Sequence, residues 1–534
     1  MPSRPNFLFI ITDQHRADYL GCYGHPLLKT PNIDGIAARG ARFTRFYVAN
    51  PICMPNRSTL MTGRMPSLHG VRHNGIELSL SANTFVDLLR ASGYRTALIG
   101  KSHLQNMEGR PPGARRAPPR DGHTPAPPTF AEAMKPRNDG RYGQELPATW
   151  KPDPSYRLDT PFYGFEHVQL CTSHGDEVGG NYYHWLRAKR PDADKLVGKE
   201  NALPHDYVAP QAWRTAVPED LYPTSYIAEK SSEWLDENAD ADAPFFLMCS
   251  FPDPHHPFTP PGKYWGMYRP EDVKLPTSFR RANTAEPHIA WLHAQLQGGT
   301  AVRTTPAPFA VSEREARESI ALTCGMIAMI DDAVGRILAK LAARGRARDT
   351  VVVFTADHGD FLADHGLMLK GPIHLQGLIR VPFIWAEPSN REAAQPKPRV
   401  TDALAGTLDI AGSILDRAGI EPYNGIQGRS ILPIVAGASD HGHDAVLVEE
   451  DGQRTYMGFD GPIRCRTLVT RRWRTTIYHG ADLGELYDLE ADPSELDNLW
   501  RDPRHAAVRA ELMELMARKQ MELVDRSPLP TAMA

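Results

Sequence analysis

No apolar run in this 534-residue chain is long enough to cross a bilayer, so the sequence predicts no membrane span. The chain also has no large excess of either charge: it contains 60 Lys and Arg residues and 64 Asp and Glu residues, which gives a formal net charge of −4. A chain with so little net charge has no global field for nucleic acid or for an anionic membrane surface. Any anionic substrate must therefore be held by a local cluster of cations.

Cysteine is scarce, and its positions follow no pattern. The six cysteines lack the spacing of metal sites and of disulfide frameworks, which is typical of reduced thiols: Cys22, Cys53, Cys171, Cys249, Cys324 and Cys465. Residues 1–5 lead directly into an apolar strand and leave no room for a signal peptide. We therefore expect a cytoplasmic protein, or one from which a leader has been removed.

The chain is too long for one ordinary domain. We predict a larger domain over residues 1–424 and a smaller one over residues 425–534. In the larger domain, helical stretches alternate with continuously apolar strands at residues 6–12, 94–99, 244–251 and 350–355. This alternation predicts an α/β domain with a large, doubly wound and mostly parallel sheet.

Two stretches interrupt this pattern, and the last part of the chain departs from it. Residues near 105–160 and 276–310 are predicted to be irregular insertions, which often shape access to a site at a sheet edge. From residue 425 onward, short strands precede a helix near residues 504–523. This part is predicted to be a smaller α+β domain with an antiparallel sheet.

Acidic and amide side chains follow two of the predicted strands. Asp13 and Gln14 follow the first strand, and Asp357 and His358 follow the strand at residues 350–355. Ligands of open α/β sheets bind beyond the carboxyl ends of the strands. Each residue alone is explained as well by a turn or a cap. Together they predict a divalent metal site, with oxygen ligands that favour Ca²⁺ or Mg²⁺ and an imidazole that also suits Mn²⁺.

Basic side chains follow the other strands and predict a cationic pocket at the same edge. Lys101 and His103 follow residues 94–99, His255 follows residues 244–251, and Lys370 lies after Asp357. Positioned cations stabilise the charge on a transferred sulfuryl or phosphoryl group, and a histidine near the leaving oxygen is a candidate general acid. A single lysine, however, is more often a solvated surface charge.

Several other polar residues are interpreted as structural. Asp360, Asp364 and His365 are assigned to a loop, and His256 is expected to face outward beside His255. The cysteines other than Cys53 are expected to be packing thiols.

Cys53 lies on a turn between a predicted strand at residues 43–48 and a helix that begins near Arg57 and ends at Gly63. The positive end of a helix favours an anion, so this turn is an electropositive place for a nucleophilic sulfur. For a lone cysteine, a buried and unreactive thiol is the more common alternative.

The stretch Cys-Met-Pro-Asn-Arg at residues 53–57, continued to Arg64, resembles the signature of the sulfatases of the alkaline phosphatase superfamily, in which this cysteine is oxidised to formylglycine. Six further stretches resemble the family in the same order: Pro5 and Asn6 with Asp13, residues 30–34, residues 100–103, Pro254 with His255, residues 357–359, and Lys370 and Gly371 with residues 380–382. Residues 485–489 also resemble it.

The resemblance implies roles for residues that match these motifs. The metal ligands would be Asp13, Gln14, Cys53, Asp357 and His358. The sulfate pocket would be lined by Arg57, Lys101, His103, His255 and Lys370, with Asn74 as a further substrate-binding residue. It also implies one divalent metal ion, Ca²⁺ first, and a formylglycine-generating enzyme as a partner.

The mechanism that the resemblance implies hydrolyses a sulfate monoester. The aldehyde at position 53 hydrates to a geminal diol, one hydroxyl attacks the sulfur, and His255 or a neighbour protonates the departing alcohol. The second hydroxyl loses its proton, with His103 as the candidate base, and sulfate is released as the aldehyde re-forms.

Two departures keep alternatives open. Many sulfatases have Asp and Asn where this chain has Gln14 and His358, and in that respect it resembles the phosphonate monoester hydrolases. Lys101 and His103, in contrast, are sulfatase-like. We expect a sulfate monoester hydrolase, with phosphonate monoester or phosphodiester hydrolysis as the main alternative and a catalytically silent anion-binding relative as another.

The sequence does not identify the natural substrate. Residues 504–534 are a candidate contact for a homo-oligomer.

Overall fold

The structure is a computed structural model that describes residues 4–109, 117–133, 141–238, 241–279, 286–388 and 398–533. In chain order its strands are β1 (Asn6–Thr12), β2 (Ala41–Phe43), β3 (Phe46–Tyr47), β4 (Arg95–Lys101), β5 (His167–Thr172), β6 (Gly179–Gly180), β7 (Phe245–Phe251), β8 (Phe309–Ala310), β9 (Thr350–Ala356), β10 (Leu367–Met368), β11 (Phe383–Ala386), β12 (Arg399–Thr401), β13 (Ala405–Gly406), β14 (Ala445–Asp451), β15 (Arg464–Thr470), β16 (Trp473–His479) and β17 (Gly484–Asp488). The α-helices are α1 (Pro31–Ala37), α2 (Cys53–Thr62), α3 (Pro66–His69), α4 (Phe85–Ala91), α5 (Pro147–Trp150), α6 (Asn181–Lys189), α7 (Pro223–Asn238), α8 (Pro287–Gln297), α9 (Glu313–Ala343), α10 (Gln376–Ile379), α11 (Leu408–Ala418), α12 (Leu432–Val435) and α13 (Ala506–Glu522).

The main sheet has nine strands in the order β12-β2-β11-β9-β1-β7-β4-β5-β6. Its centre, from β9 to β5, is parallel throughout, whereas β11 and β6 pair antiparallel with their neighbours. The central strands therefore all present their carboxyl ends at one edge, where the candidate site lies.

Both faces of the main sheet are covered, which explains why its central strands are continuously apolar. Along β1, Phe7 and Phe9 pack into a core with α2, α4 and α11, whereas Leu8 and Ile10 pack into the opposite core with α1, α7 and α9. The prediction of a doubly wound, mostly parallel sheet is confirmed.

The second sheet is antiparallel, with four strands in the order β14-β15-β16-β17, and α13 packs against it through Leu512 and Met516. The predicted smaller α+β unit is thereby confirmed as a fold class. The boundary between residues 424 and 425 stays a prediction.

Local details differ from the sequence predictions at two places. Helix α2 begins at Cys53 rather than near Arg57, so the cysteine is its first residue. The stretch 276–310 was predicted to be irregular, which is wrong for α8, whose side chains Ile289 and Leu292 are buried in the core. Parts of both predicted insertions, at 110–116, 134–140 and 280–285, lie outside the described residues.

Candidate active site

Four neighbouring parallel strands bring polar side chains to one edge of the main sheet. Asp13 follows β1 and Asp357 follows β9. Lys101 is the last residue of β4, and His255 follows β7. Because the four strands are adjacent and parallel, these side chains meet, and all four are buried.

Cys53 lies at the centre of this group. Its Sγ is 3.1 Å from His358 Nε2, 3.1 Å from Lys370 Nζ and 3.6 Å from Asp13 Oδ1. Burial, together with the Asp13 charge, raises the pKa of the thiol to about 11. The plain thiol is therefore neutral at pH 7, whereas Lys101 and Lys370 make its surroundings electropositive, and the expectation of a nucleophile at this turn stays a prediction.

Gln14 is oriented by its neighbours so that its amide oxygen faces Lys370. The side-chain nitrogen donates to Asp360 Oδ2 and lies 3.2 Å from His256 Nδ1. The amide oxygen accepts from Lys370 Nζ at 3.1 Å. A carboxylate only accepts hydrogen bonds, so Asp360 fixes which end of the amide points inward.

The donor set at this point fits a divalent cation. Ligand atoms of Asp13, Cys53, Asp357 and His358 all lie within 4.8 Å of one another and are buried. His358 Nδ1 is 2.8 Å from the Gly359 carbonyl, which leaves Nε2 as the free ligand nitrogen. Two carboxylates, the Gln14 oxygen and one imidazole form a set suited to a hard divalent ion.

Lys101 and Arg57 form one cationic wall of the site. Lys101 Nζ pairs with Asp13 Oδ2 and lies 2.8 Å from His174 Nε2. Arg57 donates from Nε to Asp357 Oδ2 at 2.7 Å and from Nη1 to the Lys101 carbonyl at 3.0 Å. Burial alone would raise the pKa of Asp13, but the charges around it, Lys101 above all, hold that pKa well below its usual value. Asp13 is therefore a carboxylate at neutral pH.

Lys370 supplies the second cation. Its Nζ is 3.1 Å from His358 Nε2 and 2.9 Å from His255 Nε2, in addition to its contact with Cys53. Burial would lower the pKa of Lys370, but attraction by Cys53, Asp13 and Asp357 raises it above the ordinary value. The ammonium is thus charged, and it faces the atom from which the nucleophile would be made.

Three histidine rings stack beside the two lysines. The ring of His255 lies 3.6 Å from that of His174 and 4.0 Å from that of His256, measured between centroids. Burial and the neighbouring His and Lys370 charges lower the pKa of His255 well below its ordinary value, so the ring is neutral at pH 7.

His103 lies after β4, in a backbone conformation with φ of 57° that non-glycine residues seldom adopt. The buried carboxylate of Glu145 accepts the backbone N–H groups of His103, Leu104 and Gln105 at 2.9 to 3.0 Å and holds this turn. Burial and the Lys101 charge lower the pKa of His103 well below its ordinary value. His103 is therefore neutral at pH 7.

Asn74 contacts Met54, the residue that follows Cys53 in helix α2. Its Oδ1 accepts the Met54 N–H at 3.1 Å, so its NH₂ group is turned away from helix α2. Asn74 and Lys370 both line a half-open cavity of about 100 Å³ that Tyr456 and Arg454 close from the C-terminal part.

Known proteins resemble this chain over most of its length. The sulfatase family model matches residues 5–116 and 162–420, and the model of the C-terminal part of N-sulphoglucosamine sulphohydrolase matches residues 364–522. The chain belongs to the sulfatase family. An arylsulfatase from Clostridium perfringens is 27% identical over 499 residues, which cover 93% of this chain and 90% of that relative.

Two further relatives of this sulfatase-family enzyme widen the comparison. A multifunctional alkaline phosphatase superfamily protein from Trinickia caryophylli is 27% identical over 549 residues, covering 98% of this chain and 97% of the relative. The crystal structure of a phosphonate monoester hydrolase of Agrobacterium radiobacter superposes with a TM-score of 0.76 at 25% identity, covering 98% and 97% of the two chains. Within the described ranges, every helix is too short or too polar to traverse a lipid bilayer.

Three residues of the site need a correction or an addition to the sequence interpretation. His256, expected to face outward, is instead buried, because its ring stacks on His255 and contacts Gln14. Asp360 lies in a loop, as expected, but it is also buried and bonded to Gln14. His174 was not proposed at all, although it follows strand β5 and contacts Lys101. Recognising residues 167–172 as a strand would have revealed it.

Proposed function

We propose that this sulfatase-family enzyme hydrolyses a sulfate monoester to an alcohol and sulfate, with formylglycine made from Cys53 as the source of the nucleophile. Asp13, Gln14, Asp357 and His358 would hold one divalent metal ion, Ca²⁺ first. The observation that supports this most is the position of Cys53, at the start of α2 and within 3.6 Å of Asp13, His358 and Lys370.

The neutral thiol also favours modification over direct use of cysteine. A thiol with a pKa of about 11 is a weak nucleophile at pH 7, so the position needs another group to react. Formylglycine supplies a hydrated aldehyde, of which one hydroxyl attacks sulfur and the other lets sulfate leave by carbon–oxygen cleavage. A divalent ion in the site supplies positive charge next to the transferred group.

The charged and polar side chains of the site would bind the transferred group, bind the substrate and hold one another in place. Lys101 and Lys370 would hold the nonbridging oxygens of the transferred group, and these contacts strengthen as charge develops in the transition state. Arg57 donates hydrogen bonds to Asp357 and to the Lys101 carbonyl, and it would thereby fix the positions of Asp357 and Lys101. Asn74 would bind the substrate through its NH₂ group.

The proton transfers are assigned from the position and the charge of each side chain. His103 is neutral and would accept the proton of the second hydroxyl. His255 is neutral as well, and its Nε2 faces the ammonium of Lys370, which can only donate. We therefore propose that His255 and Lys370 together protonate the departing alcohol. Of these two side chains, Lys370 carries the positive charge.

The second candidate is hydrolysis of a phosphonate monoester or a phosphodiester. It is favoured by Gln14 and His358 and by the likeness to the phosphonate monoester hydrolase structure. Lys101 and His103 favour the sulfate ester. A catalytically silent, anion-binding relative would require Cys53 to stay unmodified.

The test begins with the tryptic peptide of residues 46–57, whose mass separates formylglycine from cysteine. On one preparation, kcat/KM is then measured for an aryl sulfate and an aryl phosphonate monoester with the same leaving group, with Cys53→Ala as the inactive control. We expect a clear sulfate preference. A large phosphonate preference would assign the enzyme to the second candidate, and a fully unmodified peptide in natively produced protein would support the silent relative.

A further inference from the structure

The segment that carries Lys370 has little regular structure of its own. Between β10 and α10, its backbone is held by two three-residue turns, in which the Ile373 N–H donates to the Gly371 carbonyl at 2.7 Å and the Leu375 N–H to the Ile373 carbonyl at 2.8 Å. Such turns do not fix the direction of a segment against the rest of the protein. On its N-terminal side Lys370 is held through Leu369, whose N–H donates to Asp360 Oδ1 at 2.9 Å and whose carbonyl accepts the Phe361 N–H at 2.8 Å. On its C-terminal side the position of Lys370 depends on what anchors residues 371–375.

The anchor is His374, which is fully buried at the boundary with the small antiparallel sheet. Its Nδ1 lies 2.8 Å from Thr467 Oγ1 on β15, and its Nε2 lies 3.0 Å from Glu450 Oε2 on β14. Both partners are themselves buried. A buried carboxylate and a buried hydroxyl are costly to leave unpaired, so this side chain is held strongly in place.

The partners of His374 continue into a buried chain of hydrogen bonds across the small sheet. Thr467 Oγ1 lies 2.7 Å from Thr476 Oγ1 on β16, which accepts from Arg474 Nη1 at 2.9 Å. Arginine can only donate, and each threonine hydroxyl can pass one hydrogen onward. Assigned in that direction, the chain runs from Arg474 through Thr476 and Thr467 to His374 Nδ1. In this arrangement His374 Nδ1 accepts from Thr467, and the Nε2–H group donates to Glu450 Oε2.

We propose that His374 is a positioning residue for the reaction: held by the small sheet through Thr467 and Glu450, it places Lys370 beside Cys53. This inference rests on the role proposed above for Lys370. It makes the C-terminal sheet part of the catalytic arrangement through a defined contact, because displacement of a charged group by about 1 Å can cost on the order of 100-fold in rate.

The decisive experiment is a double-mutant cycle between His374→Phe and Lys370→Met. Phe keeps the volume of the ring and removes its hydrogen bonds to Thr467 and Glu450, together with the 3.4 Å contact of Nε2 with Cys465 Sγ. If His374 acts through Lys370, His374→Phe lowers kcat/KM by about 10- to 100-fold in the wild type and has no further effect in the Lys370→Met background. Equal losses in both backgrounds would mean a general structural role and would overturn the proposal.

Two variants sharpen the result. His374→Gln retains a donor at the position of Nε2 for Glu450 and should recover most of the lost activity. His443→Phe is the matched control, because His443 Nε2 also binds a buried carboxylate, Asp409 Oδ1 at 2.9 Å, with no part in the chain that ends at His374. It should lower the melting temperature about as much as His374→Phe and leave kcat/KM unchanged. Equal activity losses in the two Phe variants would contradict the proposal.

The cycle does not depend on the ester assignment. It is measured on whichever aryl ester the wild type cleaves faster, so an error in the proposed function changes only the substrate used. Calorimetric binding of inorganic sulfate to the same four proteins gives a second cycle without turnover, with the same non-additivity expected. If His374→Phe does not fold, Thr467→Val and Glu450→Gln interrupt the chain with the ring in place and are combined with Lys370→Met in the same way.

Discussion

The ammonium nitrogen of Lys370 lies 3.1 Å from the sulfur of Cys53, nearer than the carboxylate of Asp13 at 3.6 Å. A positive charge at this distance from the position of the nucleophile faces the oxygens of the group under attack. In a buried site, where water does not screen it, such a charge has a large effect on charge that develops in the transition state.

Lys370→Met should therefore lower kcat much more than it changes KM. Loss of one positioned donor of this kind costs on the order of 100- to 1000-fold in kcat. Steady-state kinetics on an aryl ester measure it, with Lys263→Met, an exposed lysine, as the control. A rise in KM with unchanged kcat would mean that Lys370 binds ground state and transition state equally, against its proposed role.

Asp360→Asn should weaken metal binding without removing a metal ligand. The Asp360 carboxylate accepts from Gln14 Nε2 and from the backbone N–H groups of Leu362 and Leu369. An asparagine amide competes as a donor and allows the Gln14 amide to turn its NH₂ group toward the site. Loss of such orienting partners typically costs about 10- to 100-fold in metal affinity.

Titration of metal-free protein with Ca²⁺ in a calorimeter measures the Asp360 effect independently of turnover. Asp364→Asn is the control in the same loop, because Asp364 pairs with Arg16 rather than with Gln14. Unchanged Ca²⁺ affinity in Asp360→Asn would show that Gln14 needs no orientation by Asp360.

The candidate metal ligands could be predicted because each of them lies in a local sequence pattern. Asp13, Gln14, Asp357 and His358 each follow a continuously apolar strand, and parallel strands must bring such ends to one edge. The antiparallel sheet was also predictable in outline, from short strands after residue 425.

Other features depend on tertiary contacts that no short pattern encodes. His174 follows β5, whose first three residues are only partly buried near the sheet border, so its apolar signal is weak. The Cys53 thiol is neutral because burial and the Asp13 charge raise its pKa by more than Lys101 and Lys370 lower it. The importance of Asp360 comes from its bond to Gln14, which is 346 residues away in the chain.

Asp253 gives a prediction about stability and pH. Burial raises its pKa to about 7, and one of its carboxylate oxygens has no hydrogen-bond partner among the described residues. The folded protein thus binds this proton more tightly than the unfolded chain, whose Asp has a pKa of about 3.9. The free energy of unfolding should fall as the pH rises from about 4 to about 7, because between these values only the folded state retains the proton.

Asp253→Asn imitates the protonated side chain and should remove that slope. Relative to the wild type, the variant should gain stability with rising pH, by at most about 4 kcal/mol at pH 8, which corresponds to three pKa units. Urea unfolding of both proteins from pH 5 to pH 8 measures the difference, in which all other titrating groups cancel. A constant difference between the two proteins would mean that Asp253 is ionised throughout.

Glu145 gives the last prediction, because one carboxylate holds the turn on which His103 lies. Oε2 accepts the His103 N–H, and Oε1 accepts those of Leu104 and Gln105. Glu145→Ala removes all three hydrogen bonds and should cost about 3 kcal/mol of stability or more, since hydrogen bonds to charged groups contribute about 1.5 to 3 kcal/mol each.

Glu145→Gln retains Oε1 but places an NH₂ group opposite the His103 N–H. It should therefore cost less stability, yet lower kcat on an aryl ester about tenfold or more, because His103 is held in a strained conformation that its own N–H bond supports. Thermal unfolding and kinetics on both variants separate the two effects, and wild-type kcat in a folded Glu145→Gln would show that the position of His103 does not depend on Glu145.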